Sequence, residues 1–320
     1  MSLHVRAISA ETHARWLRSQ ASVSFLQLPC WADVKVGWRR ESVGWFDGHR
    51  LVGVALVLHR SVPKIRWRTL AYIPEGPVVD WTSPTHDPAD WLQPLLDHCA
   101  TVGAFQVKMG PPVAARRWEA AKLKQALADA DANRPEDTHQ PTSLGAISAD
   151  WSSPVAPAVV DALRLAGWTQ LASSGAGFAD VQPRFVYCLS LQDRAVDDIF
   201  AGFNQLWRRN VRKADKSGVV VRLGSREDLA DFHRVYVETA ERDHFSPRGQ
   251  VYFERMWDAL NSAADGYHGM TLHIAEHEGH VAAATIMMRV GDRAWYLSLI
   301  HISEPTRLLS ISDARICVEK

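Results

Sequence analysis

Cysteine is scarce in this sequence. The four present in 320 residues (Cys30, Cys99, Cys188 and Cys317) form no CxxC pair and no zinc spacing. That excludes a disulfide scaffold and a Cys-built metal centre, and it fits a reducing compartment in which free Cys is a small buried hydrophobe. Net charge is absent as well: 36 Lys and Arg balance 36 Asp and Glu. The chain therefore does not hold nucleic acid by overall positive charge. Long apolar runs are missing too. Residues 281–288, broken only by Thr285, make an eight-residue stretch, where a bilayer-spanning helix needs about twenty. The opening MSLHVRAISAETHARW carries charge where a secretory leader needs an apolar core. A soluble, cytoplasmic protein is the expectation. There is no HExxH, no GxSxG and no P-loop.

What is present is ordinary for a globular chain: 47% hydrophobic and 22% charged residues. At roughly 150 residues per domain the length suggests two domains, enough to bury a large core without staples. Thirteen tryptophans spread from Trp16 to Trp295, a distribution that suits core aromatics better than a sugar platform.

The first half alternates strand and helix signals. Residues 8–20 read as a short helix with Ser9 or Thr12 available as its cap. Residues 42–46 and 51–58 are β-rich runs separated by Asp47-Gly48-His49, a hairpin signal. Strands are expected at 69–73 and 105–109, with a helix near 90–102 between them. Residues 114–132 have strong helix propensity. The polar, Pro- and Ser-rich 133–157 reads as a linker. A helix over 159–166 should end at Gly167, followed by a strand over 185–191 and one long helix over 196–217. Helices over 225–240 and 252–264 come next, then strands over 271–276, 281–290 and from 294.

Residues 44–58 and 272–288 resemble each other. Each is a strand, an acidic-Gly-His turn and a strand opening with small residues. Any hairpin looks much like this, but the similar helix and strand context around both copies points to a duplicated α/β domain. The last stretch is of another kind. Leu297-Ser-Leu-Ile-His-Ile-Ser-Glu-Pro-Thr-Arg307 resembles the conceptual translation of a transposase-based sequencing adapter, and 308–320 resembles index and flow-cell sequence. Such segments are set aside in fold reasoning. The native reading then stops near Tyr296, within a strand.

Two constellations carry chemistry. Between Arg208 and Lys216, five bases (Arg208, Arg209, Arg212, Lys213 and Lys216) meet one acid, a local charge of plus four in a neutral chain. On a helix four of them share a face, opposite an apolar stripe of Phe200, Phe203, Trp207 and Ala214. A solvated face is one explanation; an anionic partner, phosphate or RNA backbone, is the other. His273, His277 and His280 suggest a metal, but along a strand and turn they point apart and no Cys or carboxylate pair completes a set. No metal is expected.

The blocks FNQLWRRNVRKADKSGV and ETAERDHFSPRGQVYF, with FLQLPCWADVKVGW, AYIPEGPVVDW and a Gln-Pro before residue 185, resemble in their order the Fem family of peptidoglycan-bridge aminoacyltransferases. The likeness covers most of 24–296. It implies two tandem GNAT-like domains with mixed central sheets, here 1–182 (with its linker) and 183–296, the second truncated, with 297–320 foreign to both. It implies transfer of an amino acid from aminoacyl-tRNA to a stem-peptide amine of a lipid- or nucleotide-linked peptidoglycan precursor, in the cytoplasm or against the inner membrane face. It implies no cofactor, and no Q/RxxGxG/A pyrophosphate loop for acyl-CoA occurs in either repeat.

Residue by residue, Lys35 matches a position that contacts precursor phosphate, and Arg248 and Tyr252 match an arginine and a tyrosine lining the same cleft. Those residue types suit that work, since Arg offers a charge-assisted fork to phosphate and Lys a mobile point charge. Asp243 could orient a base or cap a helix. Two departures matter. Glu75 stands where the family's block commonly has a basic residue, and the family's candidate catalytic lysine would fall beyond Tyr296, so no catalytic residue is assigned. The alternatives are an acyl-CoA-dependent N-acyltransferase on the same fold and a non-catalytic precursor- or RNA-binding module.

Overall fold

The computed structural model describes residues 3–132, 144, 147–171, 185–262, 266–301 and 314–319. Along the chain these form β1 (His4–Ile8), α1 (Ala10–Leu17), a 3-10 turn (Phe25–Gln27), α2 (Trp31–Val34), β2 (Arg39–Asp47), β3 (Arg50–Val62), β4 (Ile65–Ile73), α3 (Pro88–Thr101) and β5 (Ala104–Met109). Then come β6 (Arg116–Arg117), α4 (Ala120–Ala132), β7 (Trp151–Ser152), α5 (Ala156–Leu165), β8 (Phe185–Ser190), α6 (Val196–Gly202) and α7 (Gln205–Lys216). The remainder is β9 (Val220–Gly224), α8 (Leu229–Asp243), α9 (Gln250–Leu260), β10 (His268–His277), β11 (His280–Val290), β12 (Arg293–His301) and β13 (Ala314–Glu319).

Two sheets carry the fold. The first has the order β1-β2-β3-β4-β5, antiparallel except for the parallel pair β4–β5. The second runs β8-β13-β12-β11-β10-β9, antiparallel except for β8–β13. Both use one order of elements: strand, two helices, three strands, as β1-α1-α2-β2-β3-β4 and again as β9-α8-α9-β10-β11-β12. The two hairpins that resemble each other in sequence occupy the same place in each repeat. Each carries a bulge beside its turn, at Trp45/Phe46 and at Ala275/Glu276, and a glycine in the left-handed region, Gly48 and Gly279. The α/β architecture of two GNAT-like units with mixed sheets therefore agrees with expectation. Beyond the fourth strand the repeats diverge, because the first sheet adds parallel β5 next to β4 whereas β13 lies antiparallel to β12. Residues 314–319 belong to the segment read as foreign. Main-chain pairing is indifferent to side-chain identity, so an alternating segment of any origin can take such a slot.

Several boundaries move. The helix expected over 196–217 is two helices, because the Asn204 side chain accepts from the Trp207 N–H at 2.8 Å and starts α7 afresh behind Gly202. The helix expected from 225 begins at Leu229, since the Asp228 carboxylate accepts from Ser225 N–H and Oγ and bonds Arg222. It runs on through Asp243, which is its last residue and not a cap, and turns in left-handed His244 (φ 56°). Ser9 caps α1 as expected, accepting from Thr12 N–H. That helix stops at Leu17, and β1 precedes it. Gly167, with φ 80°, follows α5.

The apolar residues divide between two cores. One lies within the first half, where Trp45, Val57, Trp91, Leu92 and Leu95 pack between the sheet and α3, joined by Val159 of α5. The other is shared. Leu17, Phe25, Trp31, Leu56 and Leu58 from the first half meet Leu229, Phe232, Met256, Leu272, Ile286 and Trp295 from the second, all of them buried. Alternate residues of β3 serve the two cores, which is why it reads as a continuous apolar run. Polar contacts seal the junction: Tyr267 Oη donates to the Leu17 carbonyl at 2.7 Å, and Ser22 Oγ to that of Val290 at 2.9 Å. No helix among the described residues is long and apolar enough to cross a membrane.

Candidate functional site

The cleft candidates come from α2 and α9. Helix α2 is a single turn, held because Trp31, Ala32 and Val34 are buried. The Trp31 ring meets Phe25 edge-on at 5.1 Å. Lys35, at the end of that turn, cannot follow the core-facing residues inward, and its Nζ stands 5.3 Å from the Trp31 ring centroid and 5.8 Å from that of Tyr252. Tyr252 belongs to the first turn of α9, anchored by buried Phe253, whose ring it meets edge-on at 5.5 Å. Arg248 directly precedes Gly249, the N-cap of α9, and its Cζ stands 4.7 Å from the same Tyr252 ring.

Lys35 and Arg248, 213 positions apart in the sequence, thus stand at one aromatic ring, one from each half of the molecule. Cation–π attraction favours each of them there by about 0.5–2 kcal/mol. An anion with several oxygens that reached both cations would gain charge-assisted hydrogen bonds from each. All three residues singled out in the sequence for one cleft are brought together.

The FLQ and IPEGP blocks are tied to each other by hydrogen bonds. Gln27 is fully buried; its amide N–H donates to the Pro74 carbonyl at 2.5 Å and its Oε1 accepts from Leu56 N–H at 2.9 Å. Glu75 sits in the left-handed region (φ 44°) before the cis Gly76–Pro77 bond, and its carboxylate accepts from Ser24 Oγ at 2.5 Å. A side chain at position 76 would collide with Gln27, which accounts for the glycine. Neither Gln27 nor Ser24 stands out in the sequence, because a buried bridging amide has no spacing signature.

The basic residues of α7 lie on a different element. Arg209, Arg212, Lys213 and Lys216 are exposed and Arg208 is half-buried, its Nη1 donating to the Ala201 carbonyl at 3.3 Å. Arg212 lies over the Phe200 ring at 5.6 Å. Three residues of the expected apolar stripe are in ring contact, Phe200 edge-on to Phe203 and Phe203 tilted against Trp207, but no residue of α6 or α7 is buried.

Other groups are poor candidates for nucleophilic work. Burial and the nearby Asp33 push the Cys30 thiol up to about 12, and burial with the Glu41 charge does the same to Cys99. A cavity of about 310 Å³ between the halves is lined by Leu17, Arg18, Cys30, Asp33, Arg40 and Tyr267, and by none of the three cleft residues. His273 hydrogen-bonds Thr271, while His277 and His280 face each other across the closing pair of their hairpin. Among the described residues no group of three His, Cys, Asp or Glu side chains is placed to hold a metal ion.

Comparison with known proteins adds to this geometry. The chain is 30% identical over 266 residues to a protein named "Lipid II:glycine glycyltransferase" in Staphylococcus aureus strain MRSA252, a match covering 81% of this chain and 52% of that one. The same protein from strain N315 matches to the same extent. The chain thus spans about half the length of the curated relatives it matches. The crystal structure of FemX superposes with a TM-score of 0.64 at 19% identity, over 97% of this chain and 82% of that one, a likeness of fold. The model of the FemAB family matches residues 8–265, from the end of β1 to beyond α9, and so takes in all three cleft residues: the chain belongs to the FemAB family.

Proposed function

We propose that this chain is an aminoacyltransferase of peptidoglycan bridge formation, taking an amino acid from aminoacyl-tRNA and placing it on a stem-peptide amine of the lipid-linked precursor. The observation that carries the proposal is the meeting of Lys35 and Arg248 around Tyr252, a cationic cleft suited to the precursor's phosphates. The relatives' name supports lipid II as the acceptor. Residues 1–182 and 183–296 are on this reading two tandem units with the cleft at their junction, and 297–320 are foreign to both. The donor, with its phosphate backbone, lies against the exposed basic face of α7 (Arg208, Arg209, Arg212, Lys213 and Lys216). The reaction takes place in the cytoplasm, where aminoacyl-tRNA is, with the chain touching the inner membrane face when it meets its lipid-linked acceptor.

Chemically, the stem-peptide amine attacks the ester carbonyl of the aminoacyl-tRNA. The amine must be neutral, so a base or water takes its proton; the tetrahedral oxyanion needs donors; and the tRNA 3′-terminal hydroxyl leaves with a proton. Holding the precursor phosphates through Lys35 and Arg248 supplies the orientation such an attack requires.

The test is transfer of labelled amino acid from aminoacyl-tRNA to lipid-linked precursor by the full chain, beside equilibrium binding of that precursor. Because the family's candidate catalytic lysine would fall beyond Tyr296, precursor binding is the readout expected of this chain, and Lys35→Ala and Arg248→Ala should each weaken it by about 10- to 100-fold, the worth of a hydrogen bond to a charged group. Absence of transfer to the precursor would reject the reaction for this chain. Unchanged binding in both variants would reject the cleft.

A further inference from the structure

Arg248 lies in the connection between α8 and α9, which makes it unusual that both of its main-chain polar groups are held by side chains. His233 Nε2 stands 3.0 Å from the Arg248 carbonyl oxygen, and the Arg248 N–H points at the Tyr236 hydroxyl oxygen at 3.4 Å. A carbonyl only accepts, so His233 presents its Nε2–H to it. His233 and Tyr236 are three residues apart and so share one face of α8.

Tyr236 is itself fixed. Its ring stacks on Phe232 at 6.2 Å, meets Phe253 of α9 edge-on at 5.2 Å and carries Phe245 at 5.6 Å. Phe245 N–H donates to the Ala240 carbonyl just after left-handed His244. The connection is therefore pinned twice, at Phe245 by ring packing and at Arg248 by hydrogen bonds. A flexible loop would carry the whole residue away; here the Arg248 main chain is fixed, with the guanidinium 4.7 Å from the Tyr252 ring.

We infer that His233 and Tyr236 are positioning residues that hold Arg248 ready to meet an anionic oxygen of the substrate. The inference rests on the reading of the cleft as a phosphate site. Neither residue needs to touch substrate: each acts through the backbone of Arg248, His233 with the shorter and better hydrogen bond.

The experiment is a double-mutant cycle on binding of a soluble, diphosphate-linked muropeptide to the full chain, with His233→Ala, His233→Gln and Arg248→Ala alone and His233→Ala combined with Arg248→Ala. His233→Ala should weaken binding about 3- to 10-fold, the worth of one neutral hydrogen bond. His233→Gln, whose amide N–H replaces Nε2–H, should recover most of the loss. In the Arg248→Ala background the His233 substitution should cost nothing further, a coupling that general loosening of the fold does not produce. Equal losses in both backgrounds, or wild-type binding by His233→Ala while Arg248→Ala binds poorly, would overturn the inference and leave the cleft standing. Wild-type binding by Arg248→Ala would take Arg248 out of the phosphate site and overturn the inference with it.

Discussion

Buried His13 and half-buried Glu41, both in the first half, contribute to the acid response of the fold. His13 lies within α1 with its Nδ1 2.9 Å from Ser42 Oγ, and burial pushes its pKa down from 6.5 to about 3. The unfolded chain takes up a proton near 6.5 that the native state refuses, so this stability is complete above that pH and is lost as pH falls toward 3. Glu41 is different. Burial pushes its carboxyl up, but hydrogen bonds from His59 Nε2 at 2.8 Å and His98 Nε2 at 2.9 Å outweigh that and hold it at about 2. Its contribution is present above 4.5, where the unfolded carboxyl titrates, and is lost as pH falls from there to about 2. Acid destabilisation should therefore have an upper and a lower part. His13→Asn, whose amide still reaches Ser42, should flatten the urea midpoint against pH between about 6.5 and 4.5, and Glu41→Gln should flatten it below. A wild-type slope in the upper range for His13→Asn would show that the burial of this imidazole is not what the unfolded state escapes.

At the scale of elements, α7 carries the boldest feature of the sequence and the one the packing explains least. A helix with no buried residue is not held by a core. Its Asn204 cap, the Phe200–Phe203 and Phe203–Trp207 ring contacts and the Arg208 bond to Ala201 tie it to α6. Its exposed bases, Arg208 excepted, are thus replaceable with little harm to the fold, and Arg209→Glu, Arg212→Glu and Lys213→Glu together should leave the thermal midpoint nearly unchanged, as for other exposed substitutions. Their effect should fall on tRNA: weaker binding, with the slope of log K against log salt shallower by roughly 2 to 3, because three side chains no longer neutralise phosphates. Unchanged affinity across a salt series would reduce α7 to a solvated face. The same helix marks where sequence stops being legible. Periodicity found the charged face but not the break before it, because Asn204 fits a helix interior by pattern and a cap by side-chain geometry, and only the Trp207 N–H decides. The hairpins were readable because turn glycines and alternation are local signals. Lys35, Arg248 and Tyr252 were readable by resemblance alone, since nothing local says that residues 35 and 248 meet. His233 and Tyr236 were not readable at all, because what they hold is a backbone twelve and fifteen residues away.

Taken whole, the molecule repeats one order of elements, and while the first repeat has a core of its own, the second buries its apolar residues in a core it shares with the first. The shared apolar layer, the Phe25–Trp295 contact at 5.6 Å and the Tyr267 bond to Leu17 dock the two repeats against each other. The cleft depends on this, because Lys35 and Arg248 meet only while the halves stay docked. At Gly291 the two halves come close together. This glycine has φ 57°, its N–H donates to the Tyr267 carbonyl at 2.7 Å, and a Cβ built on it would stand 1.9 Å from the Ala21 carbonyl oxygen across the junction. Backbone has no rotamer with which to yield, so Gly291→Ala must lift the β11–β12 turn away from residues 21–22. Left-handed strain and the clash together should cost about 2–5 kcal/mol. Because the core is shared, the loss should reach both repeats: hydrogen exchange should accelerate by similar factors in β2–β3 and in β10–β11, and precursor binding should weaken although no cleft residue has changed. Faster exchange confined to β10–β11 would mean that the first half keeps its own stability, and that the two repeats are coupled by contact without being one cooperative unit.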